Sequence, residues 1–223
     1  MAKNAKATTK KVAVIGLGRF GAALALELME VGKEVLGIDT DDAVVQQYAP
    51  VLTLVVKADT TNRDVLDELA IADFDRVVVA IGGDIESSIL TASLLIEIGV
   101  KEVWAKATSD SHGRILRQLG VDHVVFPEKD MGKRIAHQVG GDQLDYVEID
   151  EGFVMAKTAA ANSFVGKSLT ELGLRARYNV IVVATSHGDV KYAAATPDTV
   201  ISEGDWLIVA GPKDAIEDFC QVN

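Results

Sequence analysis

Apolar residues in this chain come in short runs separated by longer amphipathic stretches. The first run, Val12-Ala13-Val14-Ile15, passes straight into Gly16-Leu17-Gly18-Arg19-Phe20-Gly21, and a helical pattern follows without a break. Lys33–Asp39, Val51–Val56, Arg76–Ile81, Glu102–Lys106 and His123–Phe126 repeat the theme as further strands. Between them the spacing predicts helices over residues 41–49, Arg63–Ala70, Asp84–Ile98 and Asp110–Leu119. Thr61 or Asn62 is placed to cap the helix at Arg63, and Leu90, Leu94, Leu95 and Ile98 form the apolar face of the longest helix. A continuous run such as Val77–Ile81 suits a strand buried on both faces. Six strands alternating with five helices predict an α/β fold, a doubly wound parallel sheet of Rossmann type.

The rhythm changes further along. Pro127-Glu128-Lys129-Asp130 opens a helix running to about Val139, and Gly140-Gly141-Asp142 breaks the pattern. Period-two alternation then marks strands at Tyr146–Ile149 and Phe153–Thr158. A short helix at Ser168–Ala176 precedes strands at Asn179–Thr185, Val190–Ala193 and Trp206–Gly211, and a helix at Asp214–Cys220 ends the chain. This is a small α+β module. The expected organisation is a disordered tail (1–10), a nucleotide-binding domain (11–126), a connecting helix (127–141) and a C-terminal domain (142–223). Trp206 and Phe126 read as core or interface packing.

Charge and composition narrow the function. The longest uncharged run, Ala43–Val56, is well short of the roughly 20 residues a membrane span needs. Cys220 is the sole cysteine, so no intrachain disulfide forms, and the four histidines lack metal-binding spacing; both fit a reducing cytosol. Net charge is −11, made of −4 for residues 1–140 and −7 for residues 141–223. Such a surface repels nucleic acid and anionic bilayers, so neither DNA nor direct lipid binding is expected.

The candidate chemistry sits in the glycine motif. Gly16 permits the tight turn, Gly18 lets backbone approach a pyrophosphate, and Gly21 lets the helix lie against the sheet. The free N–H groups of the first helical turn then form an anion site. Asp39, 23 residues after Gly16, is spaced to hold a ribose and disfavours a 2′-phosphate, with no Arg following in Thr40-Asp41-Asp42. Its competing reading is as a cap for the helix at 41–49. Strand ends line the crevice of such sheets, which adds Asp59 beside a base or as a plain acid leading the next helix, Ile81 and Gly82 at the turn, and Lys106 for a phosphate or a neighbouring acid. Arg19 opposes the helix dipole, a cost that a bound phosphate offsets. Glu128, by contrast, already suits a first helical turn.

Val14–Gly21, Asp39 and Pro127-Glu128-Lys129-Asp130-Met131-Gly132, with Leu174-Arg175-Ala176-Arg177-Tyr178 later on, resemble the KtrA/TrkA-type RCK gating subunits of bacterial potassium uptake systems. The resemblance covers nearly the whole chain from Lys11. It implies a non-enzyme: a homodimer assembling into a homo-octameric ring on the cytoplasmic face of a KtrB- or TrkH-like membrane K⁺ translocating subunit. It implies ATP as the activating ligand and ADP as the inactivating one, with NAD or NADH in TrkA-like members. Arg19 matches a residue that reaches a terminal phosphate. Glu128 matches one tied to a cation near the phosphates, Mg²⁺ or Ca²⁺. Cyclic di-AMP binds the C-domain of some relatives, and Arg175 and Asn179 are the candidates for a second ligand here. The alternatives are an NAD(H)-binding sensor, a soluble ligand sensor without a membrane partner, and an NAD-dependent oxidoreductase. The last suffers from having only His187, in a turn, as a candidate acid–base group.

Overall fold

Strand β1 (Lys11–Ile15) shows why the first domain folds as it does. Ala13 and Ile15 enter one apolar cluster while Val12 and Val14 enter another, so both faces of the strand are sealed from water. Such a strand belongs at the middle of a sheet. The computed structural model describes residues 10–139, 145–150, 152–188 and 191–221. In it β1 lies between β2 (Glu34–Asp39) and β4 (Arg76–Val79). With β3 (Leu54–Lys57), β5 (Val103–Lys106) and β6 (His123–Val125), the order is β3-β2-β1-β4-β5-β6, all parallel. Strand order reverses between β1 and β4, which opens a crevice at their C-terminal ends. Helices α1 (Arg19–Glu30) and α2 (Asp42–Tyr48) pack on one face, through Ala25, Leu28 and Val44. Helices α3 (Arg63–Glu68), α4 (Ile85–Ile98) and α5 (Asp110–Gln118) cover the other, through Leu66, Leu95 and Leu116.

Two local expectations fail. The third strand starts at Leu54 rather than Val51: Leu52 N–H donates to the Tyr48 carbonyl at 3.1 Å, so 51–53 close the turn after α2 and Leu52 drops into the core. On α4 the fully buried positions are Ser88, Thr91, Ala92 and Leu95; of the expected face Leu95 is among them and Leu94 and Ile98 pack against the core, whereas Leu90 is 46% exposed. Small and hydroxylated side chains take the inward positions because Thr91 pairs with Thr60 there, Oγ1 to Oγ1 at 2.9 Å.

Contacts divide the chain after Glu128, within helix α6 (Pro127–Val139). Residues 1–9 of the expected tail (1–10) and the break at Gly140–Asp142 lie outside the described residues. The second unit is an antiparallel sheet ordered β10-β9-β11-β8-β7. Its strands are β7 (Asp145–Asp150), β8 (Phe153–Ala159), β9 (Ile181–His187), β10 (Ala193–Ala194) and β11 (Asp205–Pro212). Val154, Leu207 and Val209 meet Phe164, Leu172 and Phe219 in its core. The helix expected over 168–176 is two, α7 (Leu169–Leu172) and α8 (Leu174–Tyr178), broken at Gly173 with φ 56°. Ser168 and Glu171 form a reciprocal cap that starts α7. Asn179 does not begin the next strand; it adopts a left-handed φ of 56° and ends α8, so β9 starts at Ile181. Val190 lies outside the described residues, and the short strand there is Ala193–Ala194. The chain closes with α9 (Lys213–Cys220). Among the described residues no helix is long and apolar enough to cross a membrane.

Candidate functional site

Where β1 ends, Gly16 takes φ +88° and its N–H donates to the Ile38 carbonyl at 2.8 Å. A side chain there would stand 3.1 Å from the backbone N of Ile81. Gly21 is tighter still, because a Cβ would sit 1.9 Å from the Gly16 oxygen. The loop therefore folds back onto α1. Gly18 begins that helix with no side-chain cap, no acid stands in its first turn, and the space beside Gly18 is open. Free N–H groups at the positive end of a helix dipole then face the crevice.

Asp39 fastens this loop to the tip of β2. Its Oδ2 accepts from Leu17 N–H at 2.7 Å and its Oδ1 from Asp41 N–H at 2.9 Å. Each carboxylate oxygen keeps a second lone pair for a hydroxyl. The capping role once open to Asp39 falls to Asp41, which accepts from Ala43 N–H at 2.8 Å. Asp59 accepts from the N–H and the hydroxyl of Thr61, at 3.0 and 2.7 Å, and the hydroxyl bond chiefly holds its carboxyl below the usual range. These residues line a cavity of about 360 Å³ together with Ile81, Gly82, Asp84 and Ser87. The sequence reasoning missed Asp84 and Ser87. Asp84 caps α4 through the N–H groups of Glu86 and Ser87, and an acid directly after Gly82-Gly83 at a helix start was the available signal.

A second cavity of about 490 Å³ adjoins the first and shares Gly18, Ala80, Gly82 and Gly83 with it. Its character is different, being lined by Arg19, Phe20, Lys106, Thr108 and Glu128. The Lys106 side chain is 10% exposed, and its Nζ lies 2.5 Å from Glu128 Oε1 and 5.7 Å from the Phe20 ring centre. Lys106 thus pairs with the neighbouring acid of its two expected partners. That ammonium, with a smaller contribution from Arg19, holds the Glu128 carboxyl below the usual carboxylate range. Arg19 itself is exposed, and among the described residues no carboxylate stands within ion-pair distance of it.

Behind this cavity lies a residue that the sequence did not single out. His112 on α5 is 2% exposed, and its Nδ1 accepts from Thr108 N–H at 3.3 Å. Burial pushes its imidazole below the ordinary value.

Ten expected residues thus gather along one crevice: Gly16, Gly18, Asp39, Asp59, Ile81 and Gly82 in the first cavity, Gly18, Gly82, Arg19, Phe20, Lys106 and Glu128 in the second. Gly21 lies behind the loop. Arg175 and Asn179 are in the second unit, where the Asn179 N–H bonds the Arg175 carbonyl at 3.1 Å as α8 ends. His187, also there, closes β9 with its Nδ1 2.9 Å from Asp205 Oδ1. Among the described residues no group of three or more His, Cys, Asp or Glu could hold a metal ion. Glu128 is the one carboxylate lining the outer cavity, and it is engaged by Lys106, so these side chains do not form a cation cage by themselves.

Residues 12–127 match the TrkA-N domain and residues 155–222 the TrkA-C domain, so the chain belongs to the family of proteins built from that pair. The curated relatives it resembles are more particular. Ktr system potassium uptake protein C of Bacillus subtilis (strain 168) is 40% identical over 211 residues, spanning 94% of this chain and 96% of its own length. Ktr system potassium uptake protein A of Vibrio alginolyticus is 35% identical over 212 residues, spanning 95% and 96%. Among solved structures, the GsuK RCK domain superposes with a TM-score of 0.66 at 17% identity, over 97% of this chain and 48% of that one. The GsuK channel bound to NAD gives 0.52 at 22%, over 96% and 38%. These two likenesses establish the fold.

Proposed function

We propose that this chain is the nucleotide-sensing regulatory subunit of a K⁺ uptake system. The observation that carries the reading is the division of the crevice: an Asp39-anchored glycine loop opens directly onto a cavity holding Arg19 and Lys106. A nucleoside seats on Asp39 and its phosphates run past Gly18 toward the two cations. Asp59 and Ile81 border the base, and Gly82 borders the phosphates. ATP and ADP share every contact except the last, so only a γ-phosphate bond, for which Arg19 is the candidate, favours one conformation over the other. ATP then marks the active state and ADP the inactive one. Affiliation with the Ktr system relatives supports a membrane K⁺ translocating subunit as partner. Under this reading homodimers assemble into an octameric ring on the inner face of the membrane. A Mg²⁺ or Ca²⁺ ion at Glu128 would draw its other ligands from phosphate oxygens. Arg175 and Asn179 remain the candidates for cyclic di-AMP.

NAD or NADH is the second reading. Asp39 accepts the ribose of either ligand class, and the two cavities adjoin without a side-chain partition. The role is binding, and turnover of NAD with a panel of alcohols or hydroxy acids would overturn it in favour of an oxidoreductase. Thermal shift with ATP, ADP, NAD and NADH tests the reading. A concentration-dependent rise in Tm with the adenine mononucleotides is expected. A rise with the dinucleotides alone would transfer the role to NAD.

A further inference from the structure

We infer that His112 is a proton-operated latch on the outer cavity: as a neutral ring it holds Thr108 in the cavity wall, and when protonated it releases Thr108, so that acid weakens the grip on the distal phosphates. The inference rests on the nucleotide reading above and goes beyond it. Thr108 lines the outer cavity, and its methyl group lies 3.7 Å from where a Gly82 side chain would begin, alongside the Lys106 Nζ at 3.1 Å. The residues on either side of it are fixed by other bonds. Ala107 N–H donates to the Val125 carbonyl at 2.8 Å, and Ser109 caps α5 by accepting from the His112 N–H at 3.1 Å. Thr108 N–H instead donates to His112 Nδ1 at 3.3 Å, with the Thr108 hydroxyl 3.4 Å from the same atom.

That bond requires a lone pair on Nδ1, so the single proton of the neutral ring sits on Nε2. Nε2 is buried and has no hydrogen-bond partner among the described residues. A second proton therefore goes to Nδ1. It turns the acceptor into a donor facing the Thr108 N–H, and two donors cannot bond. The residue is 2% exposed, so water replaces the lost bond only if the loop moves. Helix α4 and strand β6 pack against α5; they carry Glu86, Glu97 and His123, while α5 itself carries Asp110, Arg114 and Arg117. The cavity adds Arg19, Lys106 and Glu128. None of these displaces the imidazole from its ordinary value; burial alone does. A monophosphate ends beside Gly18, short of Thr108, whereas a triphosphate runs into the outer cavity and feels the latch.

The experiment has two arms, run on wild type and on His112→Asn, whose side-chain oxygen offers Thr108 an acceptor that does not titrate. In ligand-free protein, NMR follows the His112 ring and the Thr108 amide from about pH 7.5 to about pH 5. The two are expected to shift together, and the Thr108 amide of the variant to stay in place. Calorimetry of ATP and AMP at fixed Mg²⁺ over the same range should show the ATP-over-AMP preference of wild type falling about fivefold further than that of His112→Asn, the factor carried by one hydrogen bond. Circular dichroism at each pH reports that both proteins stay folded. A ring that titrates without moving the Thr108 amide, or that does not titrate while the chain stays folded, overturns the inference. So does an equal pH dependence in the two proteins, or ATP binding that tightens in acid, since an imidazolium acting by charge alone attracts the phosphates. If neither nucleotide binds at any pH, the nucleotide reading falls, and the amide titration by itself decides the latch.

Discussion

The two ends of the crevice are built from different materials. The inner end is made of backbone: a glycine turn, a helix opening, and carboxylates of which Asp39, Asp59 and Asp84 already hold neighbouring N–H groups. The outer end is made of three charged side chains, Arg19, Lys106 and Glu128, carried on α1, β5 and α6. The backbone at Gly16 and Gly21 tolerates almost no added volume. Side-chain charge, by contrast, responds to a ligand and is cheaply altered. The inner end should accordingly decide whether anything binds, and the outer end which ligand is preferred.

Substitutions break this comparison in order of size. Gly21→Ala puts a methyl 1.9 Å from the Gly16 oxygen, so the loop must move; a loss of about 3 kcal/mol in urea unfolding, with loss of nucleotide binding, is expected. Asp39→Ala leaves Leu17 N–H without its acceptor and should cost about 2 kcal/mol of stability. It should also weaken ATP, ADP and AMP alike in calorimetry, which would place the ribose contact at the inner end. Arg19→Ala should leave the fold untouched and cut the ATP-over-ADP preference about tenfold, a difference of about 1.4 kcal/mol. Equal losses for both nucleotides would count against a role at the outer end.

Acid should act through His112. Burial lowers its folded pKa, so the unfolded chain binds the extra proton first. Stability is then fully present above the unfolded value of about 6.5 and declines as pH falls below it toward the folded value. Melting wild type and His112→Asn at pH 7.5 and 5.5 should show the wild type losing more. Smallest of all, Lys57→Ala removes an exposed 3.6 Å pair with Asp42 and should change stability by no more than about 0.5 kcal/mol.

Much of the inner end was legible because its parts are local. Val12–Gly21 states strand, turn and helix in ten consecutive residues, and Asp39 follows at the next strand end. Lys106 and Glu128 meet only because β5 and β6 are neighbours and α6 begins directly after β6, so a sequence gives their candidacy but not their bond. Periodicity gave α4 its length and most of its inward face, Leu95 with Leu94 and Ile98, but added Leu90, which stays exposed while Thr91 turns inward to a hydroxyl partner on Thr60. His112 carries no motif, and only packing reveals that it backs Thr108. In the second unit Gly173 and Asn179 fixed the breaks that apolar spacing had smoothed over. There left-handed backbone, rather than hydrophobicity, decides where each element stops.

The wall common to the two cavities is formed by Gly18, Ala80, Gly82 and Gly83, residues with little or no side chain. No gate of their own making divides the Asp39 end of the crevice from the end that carries Arg19 and Lys106. On the nucleotide reading proposed above, changing two or three residues at the rim would retune which ligand the crevice prefers while leaving the buried architecture, and the folding it took to reach it, unchanged.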